Sequence, residues 1–141
     1  MVGTPRRVVN DEAARRIGEV MAPDPVTVAA TSTAVEAARA MRDEGVGDVI
    51  VVDRNCICGI LTDRDITVRG VALGRDPSQI RVRDICSRSV ATLEPSQTVE
   101  EAVRLMRETS VRRLPVVDDG RPVGIVSFSD LARVATTSAR S

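Results

Sequence analysis

The most informative absence in this chain of 141 residues is histidine, of which there is none. Imidazole is the commonest general base and a frequent metal ligand, so histidine-based triads and histidine metal centres are excluded. No other side chains form a convincing pair of nucleophile and base, and we do not expect an enzyme. The adjacent carboxylates Asp118 and Asp119 fit a turn pattern and are interpreted as solvated turn residues.

The chain has almost no aromatic side chains and no lysine. Phe128 is the single aromatic residue, so the core must be aliphatic, and the stacking platforms that single-stranded nucleic acids need are absent. All 20 basic residues are arginine and are balanced by 20 acidic residues. This zero net charge argues against DNA or a membrane as partner, although residues 69–88 carry five arginines. The arginine bias reflects either genome composition or bidentate anion binding.

Cysteine is scarce, and long apolar runs are absent. Cys56 and Cys58 form a C-x-C pattern, which is a weak metal signal without two further ligands, and Cys86 stands apart from them. We interpret the C-x-C pair as small apolar residues in or near a strand and predict no metal site. Neither a signal peptide nor a membrane-spanning run is visible, so we expect a cytoplasmic protein without a structural disulfide.

The chain does have an internal repeat with an offset of 65 residues. Aligning Val20–Ile66 with Ile85–Leu131 without a gap gives 14 identical positions among 47. The clearest part is a heptapeptide, Gly59–Asp65 and Gly124–Asp130, which reads glycine, two aliphatic residues, a hydroxyl residue, two variable residues and aspartate. Each copy alone would be marginal as an independent core, so we expect the two copies to form one module.

Each copy has the pattern strand, helix, strand, strand, helix. Thr33 and Thr98 both precede an apolar helical stripe and have glutamate three residues later, which is the signature of a capping box. Gly45 is expected to end the first of these helices. Another helix is predicted from about Asn10 to Met21. The strands of the first copy are predicted at 26–28, 48–53 and 57–62, and the hairpin strands of the second at 113–117 and 122–127.

These patterns divide the chain into successive segments. The predicted boundaries are a polar segment at 1–16, a first motif at 17–74, a linker at 75–81, a second motif at 82–134 and a flexible tail at 135–141.

The heptapeptide admits two interpretations. In the first, Thr62 with Asp65, and Ser127 with Asp130, only cap helices, because the hydroxyl accepts from an amide and the carboxylate suits the positive helix end. In the second, the same geometry binds a nucleotide. The amides and the hydroxyl take a phosphate, the aspartate takes the ribose hydroxyls, and the strand glycine admits a flat base. The residues alone leave both interpretations open.

Two such copies in register resemble a pair of CBS motifs (named for cystathionine β-synthase), which pack into a Bateman module. The resemblance covers about 17–134 and rests on the strands at 51–53 and 113–118 and on both heptapeptides. It implies an α/β (α+β) fold of two β-α-β-β-α motifs related by pseudo-twofold symmetry. It also implies a non-catalytic regulatory module that binds AMP, ADP, ATP or S-adenosylmethionine in clefts between the motifs.

The resemblance further implies roles for particular residues. Arg112 and Arg113 match a basic pair that approaches phosphates in nucleotide-binding relatives, whereas the first copy has Gly47 and Asp48 there. The cleft that receives these arginines should bind phosphate better, and the sequence leaves open which cleft that is. The alternative role of the two arginines is solvated charge at a strand entrance. Phe128 is expected to serve packing in the core or in a dimer. The implied ribose contacts are Asp65 and Asp130. The implied phosphate contacts are Thr62, Ser127 and Ser129, with Arg64 in place of a hydroxyl in the first copy. The implied base contacts are Val26, Thr27, Ile60, Ala91, Thr92 and Ile125.

The implied partners are an adenosyl small molecule, a second copy of the chain and an unknown protein. We expect a homodimer that forms through alanine-rich helical faces, and no catalytic cofactor. The alternative is a ligand-free structural or interaction protein of a bacterial stress response, in which the heptapeptides act only as caps.

Overall fold

The structure is a computed structural model in which residues 15–88 and 91–140 are described, with side chains described as far as residue 134. Single turns of 3₁₀ helix occupy Val71–Leu73 and Pro77–Gln79. The helices are α1 (Ile17–Val20), α2 (Ala34–Glu44), α3 (Asp63–Arg69), α4 (Val82–Ile85), α5 (Val99–Thr109) and α6 (Phe128–Arg140). The strands are β1 (Ala22–Pro23), β2 (Thr27–Ala29), β3 (Asp48–Asp53), β4 (Cys56–Thr62), β5 (Ser87–Arg88), β6 (Arg113–Asp118) and β7 (Arg121–Ser127).

The described residues form two compact units. Residues 24–88 with 120–122 make up the first-repeat unit, and residues 15–23, 91–119 and 123–140 make up the second-repeat unit. Neither unit is a single sequence repeat. The segment α1–β1 belongs with the second repeat, and the segment α4–β5 belongs with the first. The predicted motif boundaries therefore describe the sequence pattern, whereas packing groups the chain differently.

The first-repeat unit is built on a sheet with the strand order β2-β3-β4-β5. Strand β2 runs parallel to β3, and the remaining pairs are antiparallel. Arg54 and Asn55 both have positive φ at the β3–β4 turn, as a tight two-residue hairpin requires. Val49, Val51 and Leu61 point from the sheet into the core that α2 and α3 cover.

Helix α2 presents its apolar stripe to that core. Ala34, Ala37 and Met41 are buried there, whereas Ala38 is exposed at the edge of the stripe. Gly45 follows the helix in the left-handed conformation, with φ 67°, and confirms the predicted helix end.

The predicted capping boxes of α2 and α5 are both present. The amide of Glu36 donates to Thr33 Oγ1 at 3.1 Å, and the amide of Thr33 donates to the Glu36 carboxylate at 3.0 Å. The corresponding distances at Thr98 and Glu101 are 3.1 and 2.9 Å. The hydrogen bonds from the threonine backbone are the main reason why the pKa of each glutamate lies below its ordinary value.

The second-repeat unit has a sheet with the strand order β1-β7-β6. Strand β1 pairs antiparallel with β7, and Asp119 and Gly120 have positive φ at the β6–β7 turn, as the Asp-Gly signal predicts. In the described part of this unit, the first strand of the repeat is reduced to a single parallel bridge between Leu93 and Val116.

Two predicted elements differ from the structure. Helix α1 begins at Ile17, because Arg16 is extended with φ −93° and ψ 149° and forms a bridge to the residue before α5. The predicted helix from about Asn10 is therefore not continuous, and its start lies outside the described residues. Helix α6 extends to Arg140 and so includes residues 135–140 of the predicted tail, whose flexibility stays a prediction. No glycine or proline interrupts this segment, which allows the helical backbone to continue.

Candidate functional site

The first heptapeptide joins β4 to α3 and forms a complete capping box. Thr62 is extended, and its Oγ1 accepts a hydrogen bond from the amide of Asp65 at 3.1 Å. In return, Asp65 Oδ2 accepts from the amide of Thr62 at 2.9 Å. The predicted helix start at Asp63 is confirmed. We call Thr62, Arg64 and Asp65 the first clamp; its carboxylate is already engaged by its own helix.

The second heptapeptide joins β7 to α6 with a different set of hydrogen bonds. The amide of Asp130 donates to Ser127 Oγ at 3.2 Å, so the hydroxyl caps the helix as predicted. The Asp130 carboxylate, however, accepts from the guanidinium of Arg133 at 2.9 Å. Ser127 Oγ and Ser129 Oγ are also hydrogen-bonded to each other at 3.2 Å. We call Ser127, Ser129 and Asp130 the second clamp.

The two clamps differ in charge at their edges. The amide of Phe128 donates to the carbonyl of Arg112 at 2.7 Å, and the amide of Asp63 donates to the carbonyl of Gly47 at 3.0 Å, so the backbone is equivalent. The Arg112 guanidinium lies 5.1 Å from the centroid of the Phe128 ring, which is a cation–π distance. Arg113 follows as an exposed residue of β6. The second clamp therefore has the Arg112 cation at its edge, whereas the equivalent position beside the first clamp is Gly47, next to the carboxylate of Asp63.

Phe128 lies half-buried against the apolar core of the second-repeat unit. The predicted packing role of this ring within the core is therefore confirmed. Stacking under Arg112 is an additional contact that the sequence did not predict.

Three implied contact residues of the first repeat, Thr27, Ile60 and Thr62, share one face of the sheet. Strand pairing places Thr27, Ile50 and Ile60 in one row across β2, β3 and β4. Thr62 lies two residues beyond Ile60 on the same strand and therefore points to the same side. This face is opposite to the one that packs against α2 and α3. Val26 differs, because its side chain packs against the core on the other side.

The second repeat arranges its implied residues in a similar way. Ile125 and Ser127 alternate with Val126, which belongs to the core, so the first two point to the opposite face. Ala91 packs against the core like Val26, whereas Thr92 is exposed. In each unit the structure thus brings the apolar strand residue and the capping hydroxyl together on one face.

The heptapeptide glycines have a structural reason that the sequence did not reveal. A Cβ atom on Gly59 would overlap the carbonyl oxygen of Ser87. A Cβ atom on Gly124 would lie 2.9 Å from the carbonyl oxygen of Ala22 and would overlap Met21. Glycine therefore allows β5 and β1 to approach these strands closely. The close approach that was expected for a flat base is taken up by the chain itself.

The sequence reasoning missed Arg133, which contacts the second clamp, and Arg88, which pairs with the glycine of the first heptapeptide. Arg88 pairs with Gly59 through the two-residue strand β5, which is too short to give a pattern. Arg133 pairs with Asp130 at a spacing of three residues, and this spacing of opposite charges on a helix is a signal that the sequence does contain.

The three cysteines are free thiols of differing exposure. Cys56 is exposed, Cys58 is half-buried and Cys86 is buried. Burial is the main cause that raises the pKa of the Cys86 thiol, which keeps it protonated and unreactive at neutral pH. Within residues 15–88 and 91–140, no three cysteine, aspartate or glutamate side chains cluster closely enough to hold a metal ion.

The helices of the described segments are also too short or too polar for a bilayer. None of them combines the length and the apolar character that crossing a membrane requires.

Comparison with known proteins assigns the fold. The CBS domain family matches residues 17–69 and 82–136, which is more than half of the chain. The chain therefore belongs to the CBS domain family and carries two copies of the domain, as the sequence resemblance predicted. The mixed α/β fold with two sheets agrees with this assignment.

Individual relatives are similar over much of their length. An uncharacterised protein of Methanopyrus kandleri is 42% identical over 120 residues; the match spans 84% of this chain but only 61% of that protein. The hypoxic response protein 1 of Mycobacterium tuberculosis is 36% identical over 102 residues, which are 72% of this chain and 71% of that one.

Two solved structures are similar to this chain in fold. The crystal structure of hypoxic response protein I, which contains two coordinated zinc ions, has a TM-score of 0.70 at 30% identity and covers 84% of this chain and 97% of that one. A hexameric CBS-CP12 protein from bloom-forming cyanobacteria has a TM-score of 0.76 at 30% identity and covers 84% of this chain and 67% of that one.

Proposed function

We propose that this chain is a non-catalytic regulatory module that binds an adenosyl ligand, namely AMP, ADP, ATP or S-adenosylmethionine. Its output is then a change in self-association or in binding to a protein partner. The observation that carries the proposal is the sheet face that bears Thr27, Ile60 and Thr62 and leads into a helix start with Asp65. A base would lie on Thr27 and Ile60, a phosphate at Thr62 and the helix amides, and a ribose at Asp65.

The charges around the clamps support unequal affinities. Arg112 is exposed next to the second clamp and can leave the Phe128 ring for a phosphate, because a surface cation–π contact contributes only about 0.5–1 kcal/mol. The corresponding position of the first clamp is Gly47, with the carboxylate of Asp63 beside it. Phosphorylated ligands are therefore expected at the second clamp before the first.

A second candidate function is a structural or interaction protein that binds no ligand. The observation in its favour is the complete capping box of Thr62 and Asp65, which satisfies the polar groups of the first clamp internally. In this case the polar groups of the second clamp also serve only the internal hydrogen bonds Ser127–Ser129 and Asp130–Arg133.

We also propose that the chain forms a homodimer through α2 and α3. An open, largely apolar groove of about 400 Å³ runs between these helices and is lined by Ala34, Ala38, Ile66 and Val71. Val71 is 56% exposed and Leu73 is 68% exposed, so the apolar surface extends beyond the groove. The similar CBS-CP12 protein is hexameric, which supports self-association. A cytoplasmic location stays a prediction.

The experiment that separates the two functions is a thermal-shift titration with AMP, ADP, ATP, S-adenosylmethionine and NADH. A ligand at about 100 times its Kd stabilises the protein by about 2.7 kcal/mol, which is a readily measured shift in melting temperature. Asp130→Ala and Asp65→Ala should reduce the shift while the ligand-free fold persists. If none of the five compounds shifts the wild-type protein, the ligand-free function replaces the proposal.

A further inference from the structure

The carboxylate of Asp130 has a partner that its counterpart in the first repeat lacks. Arg133 donates to Asp130 Oδ1 at 2.9 Å from one turn further along α6. The position equivalent to Arg133 in the first repeat, 65 residues earlier, is Val68, which is 47% exposed. Asp65 instead accepts from the amide of Thr62 at 2.9 Å.

This ion pair involves the oxygen that a ribose would use. A vicinal diol donates two hydrogen bonds to a carboxylate, and both oxygens must then face the diol. At the second clamp, one of these oxygens is directed to a guanidinium at the side of the helix. The pair is largely exposed, with side-chain exposures of 75% for Arg133 and 44% for Asp130, so it can open at small cost.

We propose that Arg133 competes with the ribose hydroxyls for the carboxylate of Asp130 and thereby sets the affinity of the second clamp. This inference rests on the proposed function, because it assumes that the clamp receives an adenosyl ligand. Arg133 acts through Asp130 and need not touch the ligand. The first clamp has Val68 at this position, so Asp65 meets no guanidinium from there and accepts instead from the amide of Thr62.

The competition has a characteristic dependence on salt. Adenosine is uncharged, so its own affinity for a binding site responds little to ionic strength. An exposed ion pair weakens as salt screens it, and Asp130 is then more often available. Adenosine should therefore bind the second clamp more tightly as salt rises. A phosphate ligand should show the opposite trend, because screening weakens its attraction to Arg112.

The test follows the amide signals of Ser129 and Asp130 by NMR during adenosine titrations at about 0.05 and 0.5 M NaCl, where the Debye length falls several-fold. Arg133→Val should tighten adenosine binding by up to about fivefold and abolish the salt-dependent gain. Arg133→Lys, which keeps the cation, should resemble the wild type. Val68→Arg is the matched control and should leave the second clamp unchanged.

Each outcome decides the matter. Equal or weaker adenosine binding in Arg133→Val overturns the inference, and so does a salt-dependent gain that persists in that variant. The proposed function survives both results, because adenosine still binds. If adenosine, AMP, ADP, ATP and S-adenosylmethionine bind neither the wild type nor Arg133→Val, the proposed function fails and the inference fails with it.

Discussion

Asp65 and Asp130 should contribute unequally to the free energy of unfolding of the ligand-free protein, and replacing each of them by alanine in turn tests this. In Asp65→Ala, the amide of Thr62 loses an acceptor at 2.9 Å in a partly buried position. A hydrogen bond of this kind contributes about 1 kcal/mol. In Asp130→Ala, the loss is an ion pair with Arg133 at the surface, which contributes about 0.2–1 kcal/mol. Both variants lose the same favourable interaction with a helix N-terminus, so that contribution cancels in the comparison.

Ligand-free Asp65→Ala should therefore be less stable than Asp130→Ala by about 0.5 kcal/mol. Urea titrations followed by circular dichroism measure this difference through the midpoints, provided that the two variants share one m-value. Thr62→Ser is the control, because it keeps the hydroxyl oxygen and should stay close to the wild type. If Asp130→Ala costs as much free energy of unfolding as Asp65→Ala, the described difference between the clamps is wrong.

Three further predictions concern the fold and its assembly. Gly59→Ala should destabilise the protein by about 1–3 kcal/mol in urea titrations, because its Cβ overlaps the carbonyl of Ser87, whereas Gly47→Ala should be close to neutral; equal effects would refute the close approach. Ala38→Glu should lower the mass in light scattering from that of the proposed homodimer to that of a monomer, and an unchanged mass would exclude this helical face. In Glu36→Gln, the free energy of unfolding should decrease less than in the wild type as the pH falls below 4.5, the ordinary pKa of glutamate. Urea titrations at several pH values measure this, and an unchanged decrease would contradict the capping role.

The sign of that pH dependence follows from the hydrogen bonds of Glu36. They favour the charged carboxylate and hold its pKa below the ordinary value in the folded protein. The stabilisation is therefore fully present above the ordinary pKa and is lost as the pH falls through the lower, folded-state pKa. Glutamine has no proton to gain, so the variant should be less stable at neutral pH and should approach the wild type in acid.

Local patterns were sufficient to predict most of the fold. The helices α2 and α5 follow from apolar residues at helical spacing and from threonine caps with glutamate three residues later, and both features depend on neighbours in the chain. The hairpin turns at Arg54–Asn55 and Asp119–Gly120 were predicted from turn-forming residues and have the positive φ that tight hairpins require.

The parts that could not be predicted depend on distant segments or on competing partners. Strands β1 and β5 have two residues each and give no periodic signal, and the space beside Gly59 and Gly124 admits them only after the chain has folded. Asp65 and Asp130 have the same sequence context of hydroxyl, two residues and aspartate. Their carboxylates nevertheless choose an amide in one case and Arg133 in the other, because such contacts differ by less than about 1 kcal/mol.

The proposed binding of an adenosyl ligand by the clamps can be tested by NMR titration of the wild-type protein with AMP. Saturable shifts of the Ser129 and Asp130 amides are expected, at lower AMP concentrations than any shifts at Asp65. These shifts should be lost in Asp130→Ala. Spectra that do not change with AMP at millimolar concentration, or equal shifts in the wild type and in Asp130→Ala, would contradict it.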